Sequence, residues 1–191
     1  MIRKTRNSYL SFLVFASCSL LPMAIRTNIC HAQMSSPDLK CLSVASNGDV
    51  TLTWTIPPSG SFVSYHIDTS SFATGPFTNL TTINTYATTS HIHNGAGAET
   101  KRIYYIIYTE STGTIFSAPK DTFSTIFLNV TGANIATLSW NKISSASMGL
   151  YKIYREYTGV WSFRGSTKNL SYKDTIDICS AALNYKIELD S

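Results

Sequence analysis

Four groupings in this chain carry side chains capable of chemistry. His91 and His93, in SHIHNG, stand at i and i+2 and would share one face of a strand, where two imidazoles could supply part of a metal site. Zinc takes three or four ligands, and no cysteine or carboxylate lies within several residues, so a solvated strand end before a glycine loop is expected. His66, in YHID, alternates outward beside Asp68 and reads as a surface residue rather than a general base. Serines abound, but no G-x-S-x-G elbow, phosphate-cradling Gly-Lys loop or H-E-x-x-H occurs. The acids stand singly, without the close carboxylate pair of glycoside hydrolysis. These residues predict no enzyme, no metal and no cofactor.

The third grouping is aromatic. In RIYYIIYTE, Ile103, Tyr105 and Ile107 alternate with Tyr104, Ile106 and Tyr108. One set fills a core. The other leaves a stripe on the outer sheet face, with Tyr104 and Tyr108 close to His66 if the two strands are neighbours. Tyrosine joins flat apolar area to a polar tip, which suits a sugar ring or a protein partner. The plainer alternative is contact with a neighbouring domain or loop. The fourth grouping is the cysteine pair Cys41 and Cys179. Three states are open to them: a disulfide with one another, a disulfide from Cys179 to a residue beyond Ser191, or buried thiols.

The elements that position these residues follow a leader. MIRKTR is cationic, YLSFLVFASCSLLPMAI is apolar, and NICHA ends in small residues at Cys30 and Ala32, the layout of a secretory signal peptide over residues 1–32. A lipoprotein signal at Cys18 is the alternative; Phe15 fits a lipobox poorly and the apolar run continues past it. The chain carries 15 Lys+Arg and 11 Asp+Glu; the leader holds four of the bases and no acid, so the remainder has 11 of each. With no excess charge it has no footprint for nucleic acid, and membrane contact is expected only through the leader. The expected location is extracytoplasmic, secreted or on the outer cell surface.

The remaining 159 residues are rich in Ser, Thr, Tyr and Ile, with turn residues every eight to twelve positions or so, a composition of many short strands. They also repeat. DVTLTW (49–54) returns as IATLSW (135–140), placing Trp54 on Trp140 at an offset of 86 residues. Tyr65 falls on Tyr151 and Tyr86 on Tyr172 at the same offset, GPF falls on GVW at 84, and Tyr105 falls on Tyr185 at 80. The drop to 80 is ascribed to the longer loop HIHNGAGAETK. This period is a whole small domain rather than a solenoid unit. A short linker (33–37) and two domains, 38–119 and 120–191, are predicted. Period-2 alternation turns Val50, Leu52 and Trp54 inward, and likewise Ala136, Leu138 and Trp140. YKIYRE turns Tyr151 and Ile153 inward, and YKIELD turns Tyr185, Ile187 and Leu189 inward.

A tryptophan in strand B (49–55), tyrosines in strand C (from Tyr65) and a tyrosine opening strand F (Tyr105, Tyr185) resemble fibronectin type III domains. The resemblance implies tandem immunoglobulin-like β-sandwiches with a tyrosine corner at Tyr185 and Tyr105. Phrases such as CLSVASNGDVTLTWTIPP, SAPKDTFSTIFLNV, YKIYREY and NLSYKDTIDIC are similar to the amino-terminal part of bacterial surface proteins exported with a gliding-motility-associated, type IX secretion sorting domain. That likeness implies an exported, non-catalytic surface protein with a role near adhesion or gliding. Its modules would contact other domains of the same longer chain, a surface glycan or a protein. The second copy stops after strand F, lacking strand G (IFSAPK, 115–120, in the first), so the sequence reads as an amino-terminal fragment. Two alternatives are accessory modules of a secreted polysaccharide-degrading enzyme and a carbohydrate-binding module.

Overall fold

The computed structural model describes residues 33–58, 60–144, 149–176 and 183–190. The leader and Cys179 lie outside the described residues. The first copy runs β1 (Asp38–Val44), β2 (Val50–Thr55), β3 (Phe62–Ser70), β4 (Thr78–Ile83), β5 (Ser90–His93), β6 (Tyr104–Ser111), β7 (Ile115–Phe116) and β8 (Phe123–Ser124). The second runs β9 (Asn129–Thr131), β10 (Ile135–Ser139), β11 (Leu150–Tyr157), β12 (Val160–Thr167), β13 (Ser171–Thr175) and β14 (Asn184–Asp190).

Two all-β sandwiches result. In the first, the sheet β1-β2-β5 packs on β4-β3-β6-β7, with β8 also on β6. In the second, β9-β10-β13 packs on β12-β11-β14, and β14 is the last strand of that sheet among the described residues. All pairings are antiparallel.

Each sandwich closes over its own indole. Val50, Leu52, Trp54, Tyr65, Ile67, Tyr105 and Ile107 are buried in one cluster; Ala136, Leu138, Trp140, Tyr151 and Ile153 are buried in another. Trp54 meets Tyr65 edge-on at 5.8 Å and 67°, and Trp140 meets Tyr151 at 5.4 Å and 67°. Trp140 lies one residue past β10, yet its N–H donates to Leu170 O, as that of Trp54 does to Thr89 O. Tyr185 is half-buried and packs against the second cluster, as Ile187 and Leu189 do.

The strand registers correct the alignment of the copies. Thr81 and Gly165 lie opposite Ile67 and Ile153 and are 84 residues apart. His91 and Tyr172 lie opposite Leu52 and Leu138, 81 apart, while Ile107 and Ile187 lie opposite Ile67 and Ile153, 80 apart. Tyr172 therefore takes the place of His91, not of Tyr86. The shortening is spread over three inter-strand connections rather than confined to HIHNGAGAETK.

The boundary at residue 120 also moves. Phe123 and Ser124 pair with Tyr105 and Tyr104, Thr125 N–H donates to Ile103 O, and Phe123 packs on the first core. The last strand of the first copy is thus split into β7 and β8. Pro119, between them, has no N–H to give a ladder.

Candidate functional site

The outer face of the first copy is built by cross-strand pairs on β3 and β6: Ser64 with Glu110, His66 with Tyr108, Asp68 with Ile106 and Ser70 with Tyr104. The structure brings His66 and Tyr108 together. Their rings stack at 5.2 Å with an interplanar angle of 6°, and Phe116 stands edge-on to both. The Tyr108 hydroxyl donates to Asp68 Oδ2 at 3.1 Å; burial and then that carboxylate push the phenol up to about 12. Tyr104 does not join them. It lies four residues along β6, roughly 13 Å away at the strand rise, with the Arg102 guanidinium 4.5 Å over its ring. Arg102 also donates to Ser124 Oγ and to Lys142 O, so Tyr104 belongs to the joint between the sandwiches.

His66 has company that resembles a relay in composition only. Ser64 Oγ lies 2.9 Å from His66 Nε2 and donates to Glu110 Oε2 at 3.0 Å, while Glu110 Oε2 lies 3.1 Å from the same Nε2. A serine nucleophile needs its hydroxyl on one imidazole nitrogen and the carboxylate on the other. Here both crowd Nε2, so the geometry pins the ring rather than activating Ser64. Hydrogen bonds from His66 and then Ser64 hold the Glu110 carboxyl below its ordinary range. His66 and Asp68 are also more enclosed than a strand-surface reading implies, with Asp68 buried under Tyr108 and Asn79.

The sequence placed the other two histidines at a solvated strand end, and the structure turns them inward. His91 and His93 pair with Leu52 and Val50, so they face the core side of β5. Burial lowers both pKa values, and His93 Nδ1 lies 2.8 Å from the Tyr105 hydroxyl. The second copy builds its counterpart from a charge cluster. Tyr185 Oη donates to Asp174 Oδ2 at 2.9 Å, Arg155 Nη1 donates to the same oxygen at 2.9 Å, and Arg164 Nε donates to Asp174 Oδ1 at 3.0 Å. Burial opposes the charge on Arg155, but Asp174 and the Tyr185 hydroxyl outweigh it and its pKa rises. Tyr105 and Tyr185 thus bond across the sandwich to the fifth strand of each copy, not to backbone upstream as a tyrosine corner does. Sequence reading missed Arg155, although the alternation that turns Tyr151 and Ile153 inward also turns Arg155 inward.

No protein-family model and no curated protein matches the chain. Among solved structures it is similar to the central fibronectin-III array of RIM-binding protein, at 14% identity over 81% of this chain and 58% of that one, with a TM-score of 0.40. It is similar to a Fn3-like protein from Clostridium thermocellum at 21% identity, over 53% of this chain and 100% of that one, with a TM-score of 0.42. A two-domain fibronectin type III segment from chicken tenascin aligns at 16% identity over 83% and 91% of the two chains, with a TM-score of 0.35. The chain therefore spans little more than half of the first of these, 58%.

One surface stands open. On the outer face of β12-β11-β14, Tyr154 lies between Phe163 and Lys186, and Glu156 lies between Trp161 and Asn184. Trp161 is 42% exposed and Phe163 56%. The hairpin that presents them turns through Thr158 and Gly159, both at positive φ, as a two-residue loop requires. Cys41 is exposed on β1.

Proposed function

We propose that the chain is a non-catalytic, exported modular protein whose fibronectin type III-like sandwiches serve as spacer and interaction modules at the cell surface, in adhesion or gliding. The observation that carries this is the pair of separate cores, each closed over its own tryptophan and joined through a short hydrogen-bonded connection. In that joint Ser124 N–H donates to Ile143 O, Asn141 Nδ2 to Thr125 O, and Phe127 N–H to Asn141 Oδ1. The polar groups that could have formed a reaction centre instead bond one another within the sandwiches. The leader and the likeness to type IX-exported surface proteins support the location.

The test is whole-cell accessibility. The full-length gene, epitope-tagged and expressed in a bacterium with type IX export, should yield a tag that protease removes from intact cells. Surface attachment or spreading should fall in a strain lacking the gene. A tag protected until the cells are lysed overturns the location, and unchanged attachment and spreading overturn the role. The reading as accessory modules of a polysaccharide-degrading enzyme is favoured by the exposed Trp161–Phe163 face. It predicts instead that loss of the gene impairs growth on a polysaccharide.

A further inference from the structure

The open face of the second copy has a composition its counterpart lacks. Two ladders cross three strands: Phe163–Tyr154–Lys186 and Trp161–Glu156–Asn184. Lys186 Nζ lies 4.8 Å over the Tyr154 ring and 5.1 Å over Trp161, and Tyr154 meets Phe163 edge-on at 5.6 Å. The aromatic rings are therefore propped against one another and against an ammonium. The polar groups beside them are oriented, and the ammonium is charge-paired. Asn184 Nδ2 donates to Glu156 Oε2 at 2.8 Å, and Lys186 Nζ meets Glu188 Oε1 at 2.9 Å. By the registers, the first copy has Asp68, Asn79 and Ile106 where the second has Tyr154, Phe163 and Lys186.

We propose that this face binds a neutral glycan, with sugar rings stacked on Trp161 and Phe163 and their hydroxyls bonded to Glu156 and Asn184. The inference rests on the reading of the sandwiches as interaction modules. The face of a pyranose ring offers C–H groups to an aromatic plane while its edge offers hydroxyls, and the side chains here supply both partners. Lys186 is paired with Glu188 and Glu156 is bonded to an amide, so these groups leave no unpaired cation to draw an anionic ligand, which favours an uncharged one. The apolar part of the face is small: about half of two aromatic side chains is roughly 200 Å², so a second copy burying the ~800 Å² per partner of a stable interface would have to cover mostly polar surface.

The chain supplies its own reporter. It has three tryptophans, and Trp54 and Trp140 are 3% and 6% exposed, so acrylamide quenching of the folded protein reads Trp161. The test titrates the full chain with neutral hexaoses (cello-, xylo-, manno- and laminarihexaose), with native gels containing the matching polymers alongside. At least one hexaose should shield Trp161 from acrylamide, and its polymer should retard the chain. Trp161→Ala and Phe163→Ala should each weaken that retardation by about tenfold, while Phe72→Ala, at an exposed ring of the first copy, leaves it unchanged. The proposal is overturned if no hexaose alters quenching at millimolar concentration, or if retardation survives both ring substitutions. Shielding that grows with protein concentration in the absence of sugar would likewise overturn it, by showing the face to be a contact between copies. Each of these failures leaves the spacer reading standing, because whole-cell accessibility tests that separately.

Discussion

The smallest scale on which the sandwiches differ is a single inward side chain. Position 155 follows Tyr151 and Ile153 on the buried face of β11, where the first copy has Thr69. An arginine there requires a carboxylate, and Asp174 supplies it with both side chains almost wholly enclosed, at 7% and 3% exposure. Removing one member of a buried ion pair costs about 3–5 kcal/mol, a large part of the ~5–10 kcal/mol that holds a small domain. Asp174→Ala should therefore abolish or sharply lower the thermal transition of the second copy and leave that of the first in place, as calorimetry would show. The tryptophans give a complementary case. Trp54 and Trp140 are buried, and their Nε1 atoms have no hydrogen-bond partner among the described residues, so their worth is apolar area rather than bonding. Burying an indole contributes roughly 4–6 kcal/mol at about 25 cal/mol per Å². Trp54→Ala should unfold the first copy, with loss of its near-UV dichroism. Trp54→Phe should cost far less, because relieving an unsatisfied donor offsets part of the lost volume. The inward tryptophans were legible in the sequence because alternation alone places them. Arg155 shared that alternation, but its partner stands 19 residues away and only the packed sandwich shows it.

Among the elements, the β11–β12 hairpin carries a local conflict. Thr158 holds φ at 49° and Gly159 at 82°. Glycine adopts that region freely, whereas a β-branched residue there is strained by about 1 kcal/mol or more. Asparagine tolerates the region and is the preferred first residue of such a turn. Thr158→Asn should thus stabilise the second copy by about 1 kcal/mol, raising the Tm of its calorimetric transition by about 4–8 °C. A Tm that falls or stays put would show the strain to be absorbed elsewhere. Central strands were legible because burial on one face forces clean alternation. The edge elements were not. VWSFRG offers apolar residues to both faces, so the sequence does not say that Trp161 and Phe163 face solvent. Likewise, IFSAPKDTFST does not show that pairing resumes at Phe123 after the break at Pro119, since the register of β8 is set by β6.

For the molecule as a whole, the duplication predicts two cores, and two cores are what the chain builds. Their polar contents have diverged, so pH should separate them. Of four histidines, His31 lies within residues 1–32 and His66, His91 and His93 in the first copy; the second copy has none. Burial lowers the pKa of His91. Burial, then His91, then Lys101 lower that of His93, against an opposing pull from Asp49. Both residues are therefore neutral in the folded state, while the unfolded chain takes up protons near the ordinary value of about 6.5. The unfolded state binds more protons below that value, so this stabilisation is fully present above it and is lost as pH falls through it towards the folded values. A protonated His93 has no acceptor nitrogen, so its 2.8 Å contact with the Tyr105 hydroxyl could persist only with the ring donating. Scanning calorimetry of the full chain should show two transitions. From about pH 7.5 to about pH 5.5, the one assigned to the first copy should descend and the other hold nearly level. The pair of substitutions His91→Asn and His93→Gln should flatten the descending one. If both transitions descend together, or the slope survives those substitutions, the pH dependence arises outside β5.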